Sequence, residues 1–171
     1  MSSQQPINVE IKARCTDPDF ARRFFMTSNA RFAGTDEQCD TYFNTVNGRL
    51  KLREGNIENN LIYYERQNDS GPKTSVFTLT RVPDAASLKH SLTQALGIKQ
   101  VVKKKREIYY IENVKFHIDE LEQLGHFIEI EACSTGTGFN SLQLQEQCER
   151  YMQSLNILPE HLLTHSYSDM I

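Results

Sequence analysis

The feature that most constrains this chain is the stretch Val102–Cys133, where cations and then carboxylates repeat at i, i+2. It opens on VKKKREIYYIE and runs on into VKFHIDELEQLGHFIEIEAC. In an extended chain, successive side chains point to opposite faces. Lys104 and Arg106 therefore share a face, as do Lys115, His117 and Asp119, and as do Glu129 and Glu131. Cations and carboxylates this close in sequence can converge on one charged interior. Such an interior is costly unless a ligand or a metal completes it.

The chain of 171 residues is long enough for one well-buried domain and leaves little room for a second. No internal repeat or break in composition divides it, so residues 1–171 read as one domain with a disordered lead-in over 1–6. Hydrophobic residues at 39% and charged residues at 24% are ordinary for a soluble globular protein. A net charge of −3 argues against a generic nucleic-acid binder. There is no apolar run of membrane-spanning length, and the start MSSQQP has no signal-peptide core, so no membrane partner is expected. Cys15, Cys39, Cys133 and Cys148 are scattered without a CxxC pair, which suits reduced thiols in the cytoplasm better than a disulfide frame or a zinc site.

The remaining chain reads mostly as short strands. Ile7–Arg14 alternates, with Ile7, Val9 and Ile11 on one face and Asn8, Glu10 and Lys12 on the other. Asp17 is a candidate N-cap and Pro18 suits a first helical position, which predicts a helix to about Asn29 that buries Phe20, Phe24 and Phe25. A strand over Gln38–Thr45, the hairpin signal Val46-Asn47-Gly48 and a return strand Arg49–Glu54 follow. In the return strand Arg49, Lys51 and Arg53 lie opposite Leu50 and Leu52, so the leucines must pack outside the charged face. Further strands are expected over Leu61–Gln67, Ser75–Arg81, Ile98–Ile111, Val114–Leu121 and His126–Cys133, with a turn at Asn68–Pro72. A second helix runs from Pro83-Asp84 to a C-cap at Gly97, and a third covers about Phe139–Leu155.

Several strands thus carry cations or carboxylates on one face. Any one of them could simply face water, as antiparallel sheets often do. If the sheet curls into a barrel, these faces become a lumen with room for a small ligand. Lysine and arginine neutralise phosphate oxygens, arginine with a two-pronged fork. Clustered carboxylates suit Mg²⁺ or Mn²⁺, which bridges phosphate oxygens. The chemistry such a lumen suits is polyphosphate handling.

VEIK near the N-terminus, GRLKLRE, VVKKKRE, HIDELEQLGHFIEIE and the terminal SYSDMI strongly resemble the triphosphate tunnel metalloenzyme (CYTH) superfamily, and within it the class IV adenylyl cyclase-like branch. The resemblance covers essentially the whole chain. It implies an α+β fold in which an eight-stranded antiparallel β-barrel with flanking helices binds a small-molecule triphosphate with Mg²⁺ or Mn²⁺. The family's N-terminal Glu-x-Glu-x-Lys is matched by Glu10 and Lys12, while Asn8 stands where the first acid would be and removes one negative charge from the metal site. The resemblance further implies Glu10, Glu129, Glu131 and Asp119, with Asn8 through its amide oxygen, as the metal set. It makes Glu10, Glu129 and Asp119 the catalytic carboxylates. Lys12, Lys51, Arg53, Lys104 and Arg106 are the implied triphosphate ligands, with Arg49 a weaker candidate on the same face and Arg66 and Lys73 alternatives for one further cation.

Plainer roles stand beside these. Lys103 and Lys105 fall on the opposite face and suit a solvated exterior, as do Glu120 and Glu122. His117 suits a lumen or a structural hydrogen bond equally, and His126 suits turn chemistry. Tyr42, Tyr63, Tyr64, Tyr109 and Tyr110 suit barrel packing, and Tyr167 and Asp169 suit docking of the tail. Three activities remain open: metal-dependent hydrolysis of inorganic tripolyphosphate or an organic triphosphate, a class IV-type adenylyl cyclase making cyclic AMP and pyrophosphate from ATP, and a non-catalytic polyphosphate or nucleotide binder. Monomer and homodimer are equally compatible with the sequence.

Overall fold

Alternation along each strand decides the architecture, because a sheet with a charged face and an apolar face must hide the second. In a computed structural model, which describes residues 6–66, 72–122 and 124–171, that sheet has rolled up. Its strands are β1 (Ile7–Arg14), β2 (Arg31–Phe43), β3 (Arg49–Glu54), β4 (Asn60–Arg66), β5 (Lys73–Arg81), β6 (Ile98–Ile111), β7 (Val114–Leu121) and β8 (Gly125–Cys133). They form a closed barrel in the order β1-β5-β4-β3-β2-β6-β7-β8, every neighbouring pair antiparallel. Three helices lie outside it: α1 (Pro18–Thr27), α2 (Ala85–Leu96) and α3 (Ser141–Ser154). Among the described residues, no helix is long and apolar enough to cross a membrane.

The main apolar core lies between the barrel's outer wall and two helices. Val9, Ile11, Phe116, Ile118 and Ile130 pack against Ala21 and Phe25 of α1 and Leu144 and Cys148 of α3. A second cluster answers the question of where the leucines go: Leu50 and Leu52 pack with Phe43, Val82 and the α2 residues Leu88 and Leu92. Burial of this kind, at roughly 25 cal/mol per Å² of apolar surface, is what holds the wall to its helices. The third cluster is inside. Tyr42, Val102, Leu121 and Phe127 share the inward face with the charged residues, and Tyr167 from the tail joins them to fill one end of the barrel.

Local chemistry explains the element ends. Asp17 caps α1 by accepting from the Phe20 N–H at 2.9 Å, and Asp84 caps α2 by accepting from the Ser87 N–H at 3.1 Å. Gly48 sits at φ 61 in the β2–β3 turn, a left-handed angle that glycine adopts without strain. Apart from shifts of one or two residues at other element ends, the structure differs from the sequence expectation in three places. Helix α1 ends at Thr27 and fully buries Phe25, leaving Phe20 and Phe24 half-buried. Strand β2 starts at Arg31, well before Gln38, because its N-terminal half is held by the long partner β6 through a register shift at Phe32/Gly34. Strand β5 starts at Lys73, paired with Glu10. Of the expected Asn68–Pro72 turn, residues 68–71 lie outside the described residues.

Candidate active site

Cross-strand register brings the inward residues into two groups. Asp40 of β2 is the hub of the first. It stands opposite Arg53, which donates to it through Nε at 2.8 Å and Nη2 at 2.9 Å. Lys104 Nζ donates to the same carboxylate at 2.8 Å and Lys51 Nζ at 3.2 Å. Burial would raise the Asp40 carboxyl, but the charges of Arg53, Lys104 and Lys51 outweigh it and hold Asp40 well below the usual carboxylate range. Burial pushes the Lys104 ammonium down to about 7, against the pull of Asp40 and with the help of neighbouring cations. A second acid, Glu58 of the β3–β4 loop, accepts from Arg53 Nη1 at 3.0 Å and pairs with Lys115. Asp36 pins that loop by accepting from the N–H groups of Ile57 at 2.8 Å and Glu58 at 3.0 Å. Gly55 makes the approach possible, since a Cβ there would lie 2.5 Å from Asp36 Oδ1. Three cations, Lys51, Arg53 and Lys104, thus converge on the single carboxylate of Asp40.

The second group is acidic. Glu10 and Glu131 face each other across the β1–β8 pair, and Lys12 faces Glu129. Like charges directly opposite destabilise a sheet unless something intervenes. Glu129 is held by Lys12 Nζ at 2.6 Å, Arg106 Nη2 at 2.8 Å and His117 Nδ1 at 3.0 Å. Burial would raise its carboxyl, but Arg106 and Lys12 hold it well below the usual range. Glu131 goes the other way: burial, then the charge of Glu129, push it up to about 7. Burial and the charge of Arg106 push His117 down to about 3, so its imidazole is neutral, and its buried Nε2 has no hydrogen-bond partner.

These residues fit a divalent cation. His117, Glu129 and Glu131 offer ligand atoms within 4.8 Å of one another. Glu10 stands opposite Glu131, and Asn8 lines the same cavity. A neutral imidazole and a carboxyl that retains a proton near neutrality are groups that a bound cation would bring into use. The oxygen-rich set suits Mg²⁺ or Mn²⁺.

Both groups open on one cavity of about 340 Å³. Asn8, Glu10, Lys12, Lys51, Arg53, Lys104, Arg106, Glu129 and Glu131 all line it. Three other expected site residues are engaged elsewhere. Asp119 is fully buried behind Arg106, which donates to it at 2.6 and 2.5 Å while the Tyr167 hydroxyl donates at 2.8 Å. Like His117 it is absent from the cavity lining, and it supports the Arg106 guanidinium from behind. Arg49 donates to Ser166 and, at 2.9 Å, to Asp169. Lys73 donates to the carbonyls of Leu163 at 3.0 Å and Thr164 at 2.6 Å. Both thus hold the C-terminal segment where a phosphate had been expected. The side chain of Arg66 lies outside the described residues. Lys103 and Lys105 are exposed.

Sequence reading passed over Asp36, Gln38, Asp40 and Glu58. The first three had a usable signal, since Asp36, Gln38, Asp40 and Tyr42 alternate along one strand. Glu58 had none, because a loop carries no period.

A closed antiparallel barrel with a basic arc facing an acidic one is the architecture of the triphosphate tunnel fold. The chain matches the CYTH domain model over residues 6–167 and belongs to that family. A Methanocaldococcus jannaschii protein, provisionally named an adenylate cyclase, is 26% identical over 96% of this chain and 98% of its own length. A solved Pyrococcus horikoshii structure superposes with a TM-score of 0.82 at 23% identity, covering 96% of this chain and 99% of that one. A Hippeastrum structure, reported as a provisional adenylyl cyclase with a dominant triphosphatase activity, gives 0.60 at 16% identity over 95% and 93% of the two chains.

Proposed function

We propose that this protein is a divalent-metal-dependent triphosphatase acting inside its barrel. The observation that carries the reading is the segregation of charge in one cavity: Lys51, Arg53 and Lys104 share Asp40 on one arc, while Glu10, Glu129 and Glu131 crowd together on the other. A phosphate chain bound to a cation has this same division of charge. Glu10, Glu129 and Glu131, with His117 and the amide oxygen of Asn8, are the residues that would hold the ion. When bound, the ion neutralises phosphate oxygens and the charge that develops on them.

The protein's own residues do the rest. Lys12, Lys51, Arg53, Lys104 and Arg106 bind and align the phosphate chain, and Asp119 and Tyr167 keep the Arg106 fork in place. A carboxylate of the acidic arc orients a water for in-line attack on the terminal phosphorus. The new P–O bond forms as the bridging P–O bond breaks, its electron pair leaving on the diphosphate oxygen, and the water's proton passes to a carboxylate. Positioning and charge stabilisation supply most of such a rate enhancement.

A second reading, favoured by the provisional name of the M. jannaschii relative, is an adenylyl cyclase in which the ribose 3′-hydroxyl attacks the α-phosphorus. The two are separated by phosphate release from tripolyphosphate, ATP and thiamine triphosphate with Mg²⁺ or Mn²⁺, run beside a cyclic AMP assay. Phosphate without cyclic AMP is expected. Cyclic AMP and pyrophosphate from ATP would overturn hydrolysis in favour of the cyclase, and no product with either metal would overturn both. Glu129→Ala is expected to lower turnover at least about 100-fold, and unchanged turnover would remove Glu129 from the mechanism.

A further inference from the structure

One acid among the cations comes from no strand. Glu58 belongs to the β3–β4 loop, yet it lines the cavity together with Arg53, Lys104 and Lys115. Its carboxylate accepts from Arg53 Nη1 at 3.0 Å and from Gln38 Nε2 at 3.2 Å, and it pairs with Lys115. Arg53 stands on β3 and Lys115 on β7, with β2 and β6 between them in the ring. Glu58 therefore reaches into the lumen and takes up a cation on each side of it.

The loop that carries Glu58 is tied down along its length. Besides the two N–H groups held by Asp36, Asn56 accepts from the Glu37 N–H at 2.6 Å and donates to the Thr35 carbonyl at 3.1 Å. Asn59 donates to the Gly55 carbonyl at 2.8 Å, and its own carbonyl accepts from the Val82 N–H at 3.0 Å. Burial would raise the Glu58 carboxyl, but the charges of Lys115 and Arg53 hold it well below the usual carboxylate range. It is thus a fixed anion inside a lumen lined with cations. It occupies donors that one more phosphate would need, and it repels phosphate oxygens that approach.

Its place in the lumen gives this charge a consequence. Lys115 pairs in register with Tyr110, two residues short of the exposed, cavity-lining Glu112, so the Glu58 bridge stands near the open rim. At the other end of the barrel Tyr167 packs with Phe127, Leu121 and Val102 and fills the lumen. A phosphate chain held by Lys12, Lys51, Lys104 and Arg106 is confined between these two ends.

We propose that Glu58 is a specificity-determining residue, an end stop that admits a triphosphate and turns away a longer phosphate chain. This rests on the reading of the barrel as a triphosphate site. The effect is one of charge against charge in the bound state, so the test is equilibrium binding.

Calorimetric titration of tripolyphosphate and tetrapolyphosphate, with Ca²⁺ as the metal, reads it directly. The unaltered protein is expected to bind tripolyphosphate at least about tenfold more tightly than tetrapolyphosphate, the cost of a like charge a few ångströms away. Glu58→Gln keeps the shape and removes the charge, and is expected to bring the two affinities within about threefold of each other, chiefly by tightening tetrapolyphosphate. Glu112→Gln removes a charge from the rim of the same cavity, and is expected to leave the ratio of the two affinities as it was. The proposal is overturned if the unaltered protein binds both chains equally, a comparison that needs no variant to fold. It is overturned as well if Glu58→Gln changes both affinities in proportion, or if Glu112→Gln narrows the ratio as much. Those results leave the triphosphate reading standing. Absence of binding by both chains would overturn that reading and the end stop together.

Discussion

At the scale of single residues, the pivot is Asp40. It holds three cations in register, and it is almost wholly buried. Removing one partner of a buried ion pair leaves the other charges uncompensated and costs about 3–5 kcal/mol. Asp40→Asn is therefore expected to lower the free energy of urea unfolding by that amount, and saturating tripolyphosphate is expected to restore part of the loss. Lys104 adds a pH dependence. In the free protein its ammonium gives up its proton near pH 7, where burial has pushed it. A phosphate chain beside it favours the charged form, so binding takes up a proton above that pH. Affinity then falls as pH rises, by up to about tenfold per pH unit for one linked proton. Lys104→Arg, which keeps its charge throughout, is expected to lose this part of the slope when tripolyphosphate affinity is measured from pH 6 to pH 9.

At the scale of elements, the C-terminal segment completes the barrel as a ninth piece. Ala13 pairs with Leu162, and Leu163 N–H donates to the Lys12 carbonyl at 2.9 Å. Tyr167 then enters the lumen, its ring 3.8 Å from Lys12 Nζ and its hydroxyl on Asp119. Truncating a buried aromatic side chain to alanine costs about 3–5 kcal/mol, which for a chain of this size lowers the melting temperature by roughly 6–20 °C. Tyr167→Ala is expected to show that drop in a thermal melt. Tyr167→Phe keeps the ring and loses one hydrogen bond, for which about 1–2 kcal/mol is expected. A melt in which the two variants fall equally would contradict a packing role for the ring.

The tail also shows which parts were legible in the sequence. Arg49 and Lys73 stand on inward positions, as alternation says, but alternation cannot reveal that Ser166, Asp169 and two tail carbonyls reach them first. Strands β3 and β7 could be bounded from period alone because each alternates charged or polar side chains against apolar ones. The first half of β2 could not, since RFAGTDE lacks that contrast and is held in place by β6. The pairing of Asp40 with Lys104 depends on how strands stagger around the ring, which no single strand encodes.

At the scale of the whole molecule, the net charge of −3 hides a barrel packed with interior ion pairs, Asp40 and Glu58 among the cations of one arc and Lys12 and Arg106 among the acids of the other. Such a molecule carries its electrostatic strain inside, where salt screens it least. A ligand that relieves that strain binds the folded state alone, and at one hundred times its dissociation constant it adds about 2.7 kcal/mol. Tripolyphosphate with Mn²⁺ is accordingly expected to raise the melting temperature by roughly 5–10 °C, and sodium chloride at equal ionic strength is not. The most direct measurement is a crystal structure with Mn²⁺ and a non-hydrolysable triphosphate, read by manganese anomalous scattering. The account requires a manganese peak beside Glu10, Glu129 and Glu131, with phosphates against Lys51, Arg53, Lys104 and Arg106. A lumen without metal, or a phosphate chain lodged on the outer wall, would contradict it.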